Sequence, residues 1–273
     1  MDTSEYDWRP KKGSSRRMTQ TRVVFILPEC LIERQIMPAP TWPHSKIKQI
    51  FPNVFFVTGM NKTHHDGVDL QHSRNMIIVR HDGQLSLINT VKLDDSGLSE
   101  LDALGKVKNV IRIGSFHGRD DAFYVDHYLA KLWALKGMQH ESNKITDIEL
   151  LPNGLMPFPD CSLFIFQTSL YPEGVLHLAQ EGGILITCDS IKNWVTEDSF
   201  FSEETAKLYK GQGFFGRATI SSEWQKATKV AFSDWTQLKS IDFRHLLSAH
   251  GEPLLDTAHK DLEATLGSLQ CLT

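Results

Sequence analysis

The sequence predicts an α/β fold in one large domain, which we place at residues 23–273. Two observations support this prediction. Short apolar runs bounded by turn residues, which are typical of buried strands, alternate along the chain with segments of helical periodicity. In addition, a chain of 273 residues with 41% hydrophobic content is long enough to bury a sizeable core.

Residues 1–22 precede this domain and predict a disordered tail. They are polar and basic, with the run "RPKKGSSRR", and they show no hydrophobic periodicity. Such a composition offers too little apolar surface to order itself. A transit peptide is the weaker alternative, because Asp2, Glu5 and Asp7 are out of place in an acid-poor targeting segment.

Two hairpins are the clearest strand signals. Residues 75–90 form two β-rich runs around Asp82-Gly83, a pair that accommodates positive φ in a tight turn. A second hairpin is predicted at 174–190, with its turn at Gly182-Gly183. Further strands are predicted at 53–59, 107–115, 161–169 and 244–251.

Helices are predicted between and after these strands. The segment that follows 107–115 repeats apolar residues at helical spacing: Val125, Tyr128, Leu129, Leu132 and Trp133. A terminal helix places Ala258, Leu262 and Leu266 on one face. Two acidic pairs, Asp94-Asp95 and Glu203-Glu204, predict solvated helix starts.

Charge and composition exclude several function classes. The net charge of -4 gives no electrostatic footprint for nucleic acid or an anionic membrane, and no apolar run is long enough to cross a bilayer. We therefore expect a soluble, cytoplasmic protein that binds a small-molecule substrate or ligand. The four cysteines are scattered without a C-x-x-C pair, which predicts reduced thiols. Phosphate-binding glycine loops and a nucleophile elbow are absent from the sequence.

Three short motifs place polar residues directly after predicted strands. They are His117 in "SFHGRDD", Asp189 in "ITCDS" and His250 in "SAHGEP". The order of strands, hairpins and motifs resembles the metallo-β-lactamase superfamily over residues 47–267. This resemblance implies a four-layer αβ/βα sandwich with metal-binding loops at one edge of its two sheets, and most members of the family are zinc or iron hydrolases.

The metal motifs of the family are only partly present. Asn89 stands where the first motif has an aspartate, and Ser115 replaces the first histidine of H-x-H-x-D-H. In that alignment Arg119 falls on the aspartate and Asp120 on the last histidine, whereas a shift of one residue brings Asp120 onto the aspartate. The next family histidine has no counterpart in residues 168–174.

The resemblance implies roles for the residues that remain. His117, Asp189 and His250 would hold a single zinc or iron ion, and Asp120 or Asp121 would be a fourth ligand or a general base.

Residues 62–72 follow the first predicted strand and are predicted to form a polar loop. In the family this region is a hairpin or flap beside the active site, which implies that it donates a replacement metal ligand or contacts the substrate, with His64 and His65 as the substrate contacts. A solvated surface flap is the alternative, because polar loop residues are common without a function.

Each of these residues also has a structural alternative. Asp120 could cap a helix, His117 could bond a neighbouring backbone group, and Asp189 could cap a turn. Two functions therefore stay open. One is a single-metal hydrolase of a small ester, thioester or phosphoester; the other is a non-catalytic binding or scaffold protein that keeps the sandwich and holds no metal. The oligomeric state is also left open.

Overall fold

The computed structural model describes residues 40–65 and 67–270, which belong to one compact unit. The predicted tail and the predicted start of the domain at residue 23 lie outside the described residues. No helix in the described ranges is long and apolar enough to span a membrane.

The described elements alternate as the sequence predicts. The strands are β1 (Lys48–Phe51), β2 (Val54–His65), β3 (Val68–His81), β4 (Gln84–Ile88), β5 (Lys106–Arg112), β6 (Lys131–Leu135), β7 (Ile148–Leu150), β8 (Cys161–Ile165), β9 (Gly174–Leu178), β10 (Ile184–Thr187) and β11 (His245–Ser248). The helices are α1 (Asp95–Leu104), α2 (Asp121–Tyr128), α3 (Glu203–Gly211), α4 (Ser222–Thr228), α5 (Phe232–Lys239) and α6 (Ala258–Gln270).

The strands form two sheets. The first sheet has the order β1-β2-β3-β4-β5-β6-β7, with antiparallel pairs up to β4 and parallel pairs from β4 onward. The second has the order β11-β10-β9-β8, in which only β10 and β11 are parallel. A parallel pair needs a crossover connection, and α1 and α2 occupy the first two crossovers of the larger sheet.

The alternation of side chains along the strands creates four layers. On β3, Ile77 and Val79 belong to the core between the sheets, whereas Met76 and Ile78 pack with Leu101 of α1 on the outer face. The outer face of the smaller sheet is covered by apolar residues of α4, α5 and α6, namely Trp224, Trp235, Leu238, Leu262 and Leu266. The predicted four-layer αβ/βα sandwich is confirmed.

Both predicted hairpins are present. The turn between β3 and β4 has Asp82 at φ 48° and Gly83 at φ 71°, the positive pair that the Asp-Gly signal requires. Between β9 and β10 the chain passes through a short 3₁₀ turn, Gln180–Gly182, before Gly183.

Two element predictions need correction. Residues 62–72 are not a loop, because the β2–β3 ladder continues to its last pair, His65 with Val68. The helix after β5 ends at Tyr128, since Leu129 adopts the left-handed conformation at φ 53°. Leu132 and Trp133 lie in β6, where both are buried, so their helical spacing was fortuitous.

The inter-sheet core should dominate stability. Leu247 of β11 is fully buried there, and truncation to alanine leaves a cavity, so we expect Leu247→Ala to lower the free energy of unfolding by about 2–5 kcal/mol. Leu255→Ala is the matched control, because that side chain is 41% exposed and should cost far less. Urea unfolding of both variants tests this expectation, and equal losses would contradict the assignment of the core.

Candidate metal site

The parallel register of β10 and β11 brings two of the predicted residues together. Thr187 and Ser248 are partners at the ends of these strands. Asp189 and His250 each lie two residues further along the chain, so both emerge at the same edge of the smaller sheet. Beyond the strands, the amide of Asn193 donates to the carbonyl of His250 over 2.9 Å, which ties the two following loops together.

His117 reaches the same edge from the larger sheet. It follows β5, and the segment after that strand is joined to the smaller sheet by a backbone bond of 2.8 Å from the amide of Gly174 to the carbonyl of Ile113. Gly118, next to His117, has φ 105°, and a Cβ there would overlap the guanidinium of Arg112. The loop conformation that presents His117 therefore depends on glycine at this position.

The three side chains converge. The Nε2 atoms of His117 and His250 are 3.0 Å apart, Nε2 of His117 is 3.3 Å from Oδ2 of Asp189, and Nε2 of His250 is 3.1 Å from Oδ1 of Asp189. The three side chains are 8%, 4% and 9% exposed, in the order His117, His250 and Asp189. We call these three residues the triad.

Burial keeps both imidazoles neutral. It lowers the pKa of His117 to about 3 and that of His250 to about 4, despite the carboxylate of Asp189 nearby. Nδ1 of His250 lies 3.3 Å from the carbonyl oxygen of Ser73, so this nitrogen carries the proton. Nε2 of His250 is then a lone pair that faces a carboxylate oxygen, an arrangement that a cation between them would satisfy.

Asp189 is ionised although it is buried. Burial opposes its ionisation, but the ammonium of Lys192, with Nζ 3.2 Å from Oδ1, holds the pKa of this carboxyl well below its usual value. Oε1 of Glu173 accepts hydrogen bonds from the backbone amides of Asp189 and Ser190, over 3.1 and 2.9 Å respectively. Burial and the charge of Asp189 raise the pKa of Glu173 well above its usual value, which makes it a neutral support for the Asp189 turn.

Cys188 lies beside the triad. Its Sγ, a nitrogen of His117 and a carboxylate oxygen of Asp189 lie within 4.8 Å of one another, close enough to hold a metal ion together. Burial raises the pKa of the Cys188 thiol well above its usual value, which disfavours the thiolate needed for ligation. From the sequence, Cys188 is predicted only as a reduced thiol, although its position directly before Asp189 was a signal of proximity to the site.

Asp120 and Asp121 are bonded to groups outside the triad. The carboxylate of Asp120 forms an ion pair with the guanidinium of Arg74 and accepts the backbone amide of Lys92 over 2.7 Å. Asp121 accepts the hydroxyl of Thr90 over 2.6 Å. Both are buried, and neither is among the residues that line the cavity beside the triad. Asp120 precedes α2, yet its side chain makes no capping hydrogen bond, so the capping alternative is also not realised.

The β2–β3 hairpin borders the site, but not through the expected histidines. His64 and His65 are exposed at its tip, where Nδ1 of His64 lies 2.7 Å from Oδ1 of Asp69. Asn61 and His72, which lie nearer the body of the hairpin, face the cavity beside the triad.

This cavity has a volume of about 220 Å³ and is markedly polar. Cationic side chains at its wall are Arg74, Arg119 and Lys192, and aromatic side chains are Phe116, Trp194 and Tyr209. Asn61, Thr63, His72, Glu141 and the triad complete the lining. None of the three cations was identified as a site residue from the sequence.

Solved structures share this architecture. A variant of the flavo-di-iron protein from Thermotoga maritima is 12% identical over 83% of this chain and 62% of its own, with a TM-score of 0.58. DIM-1 metallo-β-lactamase is 12% identical over 84% of this chain and 100% of its own, with a TM-score of 0.53. FIM-1 metallo-β-lactamase from Pseudomonas aeruginosa, in its mono-zinc form, is 14% identical over 84% and 97%, with a TM-score of 0.51.

The chain has the metallo-β-lactamase fold, as the order of its motifs predicts. No protein-family model and no curated protein sequence matches it.

The Arg74–Asp120 pair should be structural. Asp120→Asn leaves the Arg74 charge buried without its partner, and we expect a loss of about 3–5 kcal/mol in the free energy of unfolding. Asp256→Asn, which breaks an exposed ion pair with Arg244, should cost less than about 1 kcal/mol. Chemical denaturation measures both. An Asp120→Asn variant as stable as the control would contradict this assignment and return Asp120 to the chemistry of the site.

Proposed function

We propose that this protein is a metal-dependent hydrolase whose single zinc or iron ion is held by His117, Asp189 and His250. The observation that carries the proposal is the convergence of two neutral imidazole nitrogens and an ionised carboxylate within 3.0–3.3 Å of one another. Side chains that serve only to support a fold rarely aim their lone pairs at a common point, because the arrangement is repulsive without a cation.

The donor set fits such an ion. Ligand atoms at about 2.0–2.2 Å from a tetrahedral centre lie roughly 3.3–3.5 Å apart. The two imidazole nitrogens here are 3.0 Å apart, and each lies 3.1–3.3 Å from a different oxygen of Asp189. Three protein ligands are also the usual number for a catalytic zinc, because the fourth position must stay open for water or substrate. Asn89 and Ser115, which replace ligands of the family motifs, favour one ion over two.

A bound zinc or iron ion supplies Lewis acidity, which lowers the pKa of water and polarises an oxygen of the substrate. The protein contributes the surroundings. The contact of Nδ1 of His250 with the carbonyl of Ser73 orients the lone pair on Nε2. The hydrogen bond from the backbone amide of Asp189 to Glu173 holds Asp189 in place. Lys192, buried beside Asp189, keeps that carboxylate ionised and therefore able to act as a ligand.

The cavity has room for a small substrate. Its volume of about 220 Å³ accommodates the reacting group of a small ester, thioester or phosphoester. With Asp120 and Asp121 engaged by other partners, we do not assign either of them as a general base in this proposal.

One observation favours the alternative, a non-catalytic and metal-free binding protein. Nζ of Lys192 is 3.2 Å from Oδ1 of Asp189, so an ammonium group already neutralises the carboxylate that would ligate the metal. In that case the triad would be a hydrogen-bonded structural cluster in which His117 donates from Nε2.

Metal content distinguishes the two functions. We expect about one zinc or iron ion per chain in the wild type and a loss of most of it in His250→Ala, because a three-ligand site cannot spare a nitrogen donor. A chelator should lower the melting temperature of the wild type and of a variant that keeps the metal, but not that of His250→Ala, since a metal bound by the folded state stabilises it by mass action. His259→Ala is the matched control, as this histidine lies on α6.

Elemental analysis and melting curves provide these measurements, followed by assays with p-nitrophenyl acetate, a small thioester and p-nitrophenyl phosphate. A wild type that carries no stoichiometric metal, takes up neither Zn²⁺, Fe²⁺ nor Mn²⁺ and ignores the chelator would refute the hydrolase proposal. Metal retained in full by His250→Ala would show that the ligand set is wrong.

A further inference from the structure

Arg119 shares a short loop with His117. Gly118 between them packs against the guanidinium of Arg112, whose Nη2 also donates to the carbonyl of Ser115 over 2.8 Å. The loop is thus braced from behind, and His117 and Arg119 both line the same cavity. A group bound by Arg119 would therefore lie in the cavity that contains the triad.

The three cations of the cavity differ in their partners. Arg74 is paired with Asp120, and Lys192 is paired with Asp189. Arg119 forms no ion pair with any carboxylate in residues 40–65 and 67–270. Glu141 also lines the cavity, but it is exposed and is not bonded to Arg119.

Neutral groups hold Arg119 in place. Its Nη1 donates to Oδ1 of Asn61 over 3.1 Å and to the carbonyl of Lys62 over 2.8 Å. Its guanidinium carbon lies 4.9 Å from the centre of the Trp42 ring, a cation–π contact. These contacts orient the guanidinium. Nε and Nη2 have no acceptor among the described residues, so these two neighbouring donors are available to a ligand.

We propose that Arg119 binds an oxyanion of the substrate, a phosphate or carboxylate group. The inference rests on the proposed function, because it identifies the substrate of that site as an anionic ester or thioester. A planar guanidinium with two neighbouring donors pairs with such a group through two parallel, charge-assisted hydrogen bonds. Since Arg74 and Lys192 are already neutralised, Arg119 determines the preference for an anion.

Titration calorimetry on chelator-treated protein tests the proposal without interference from a metal. The probes are inorganic phosphate and acetate, and the tighter of the two identifies the kind of oxyanion. We expect Arg119→Gln to weaken binding of the preferred anion by about 10-fold or more, which corresponds to one good charge-assisted contact. Arg244→Gln is the matched control, since Arg244 is 60% exposed, lies in a surface ion pair and should leave binding unchanged.

A second measurement does not depend on the folding of a variant. Phenylglyoxal modifies accessible arginines, and mass spectrometry measures the rate at each site. Phosphate or acetate should slow modification of Arg119 and not that of Arg244. The proposal is overturned if neither anion binds saturably, if Arg119→Gln binds both as tightly as the wild type, or if neither anion protects Arg119.

The outcome is separable from that of the hydrolase proposal. Arg119 is not among the proposed ligands, so the metal content of Arg119→Gln should equal that of the wild type. Anion binding that depends on Arg119, in a protein that carries no metal as purified and takes none up, would support this inference and refute the hydrolase. Stoichiometric metal with no anion binding would do the reverse.

Discussion

The ionised carboxylate of Asp189 is the constraint around which the site is organised. A buried charge is costly unless it is paired and hydrogen-bonded, and Lys192, three residues further along the chain, supplies the paired charge here. The neutral imidazoles that face the carboxylate come from separate parts of the chain: His117 follows a strand of the other sheet, and His250 follows the neighbouring parallel strand. Glu173 fixes the backbone at Asp189 from a further segment. Groups from both sheets therefore meet at Asp189.

A second buried charge has a different role. Asp120 neutralises Arg74 of β3 and bonds the backbone at Lys92, so this carboxylate anchors the start of α2 to the larger sheet. Residues 117–120, which align with a metal-binding motif of the family, have separate roles in this chain. His117 belongs to the triad, Asp120 stabilises the scaffold, and Arg119 lines the cavity as a cation. The fold accommodates these different roles because function depends on the residues of the site and not on the fold itself.

The sequence predicted the architecture well, because its signals are local. Asp82-Gly83 defines a turn by itself, and Asp95 and Glu203 begin helices as their acidic pairs indicate. Errors arose where a local pattern was ambiguous. Apolar spacing that fits a helix continues past Leu129 into β6, and polar residues that suggest a loop lie in a long hairpin that extends beyond the core.

The site was predictable only in part. Residues that directly follow parallel strands emerge at one edge, which is why motif order brought Asp189 and His250 together. The partner of Asp120 is 46 positions away in the sequence, and no local pattern shows that Arg74 would claim it. Lys192 and Glu173 could not be predicted as site residues for the same reason, because their roles depend on their contacts with Asp189 in the folded chain.

X-ray absorption spectroscopy at the edge of the bound metal tests the central claim most directly, because it counts the atoms around the ion. We expect two imidazoles and one carboxylate oxygen at about 2.0–2.2 Å, with an open position filled by water. We also expect the loss of one imidazole contribution in any residual metal of His250→Ala. A dominant sulfur shell at about 2.3 Å would assign the ligation to Cys188. A protein that binds no metal would contradict the account.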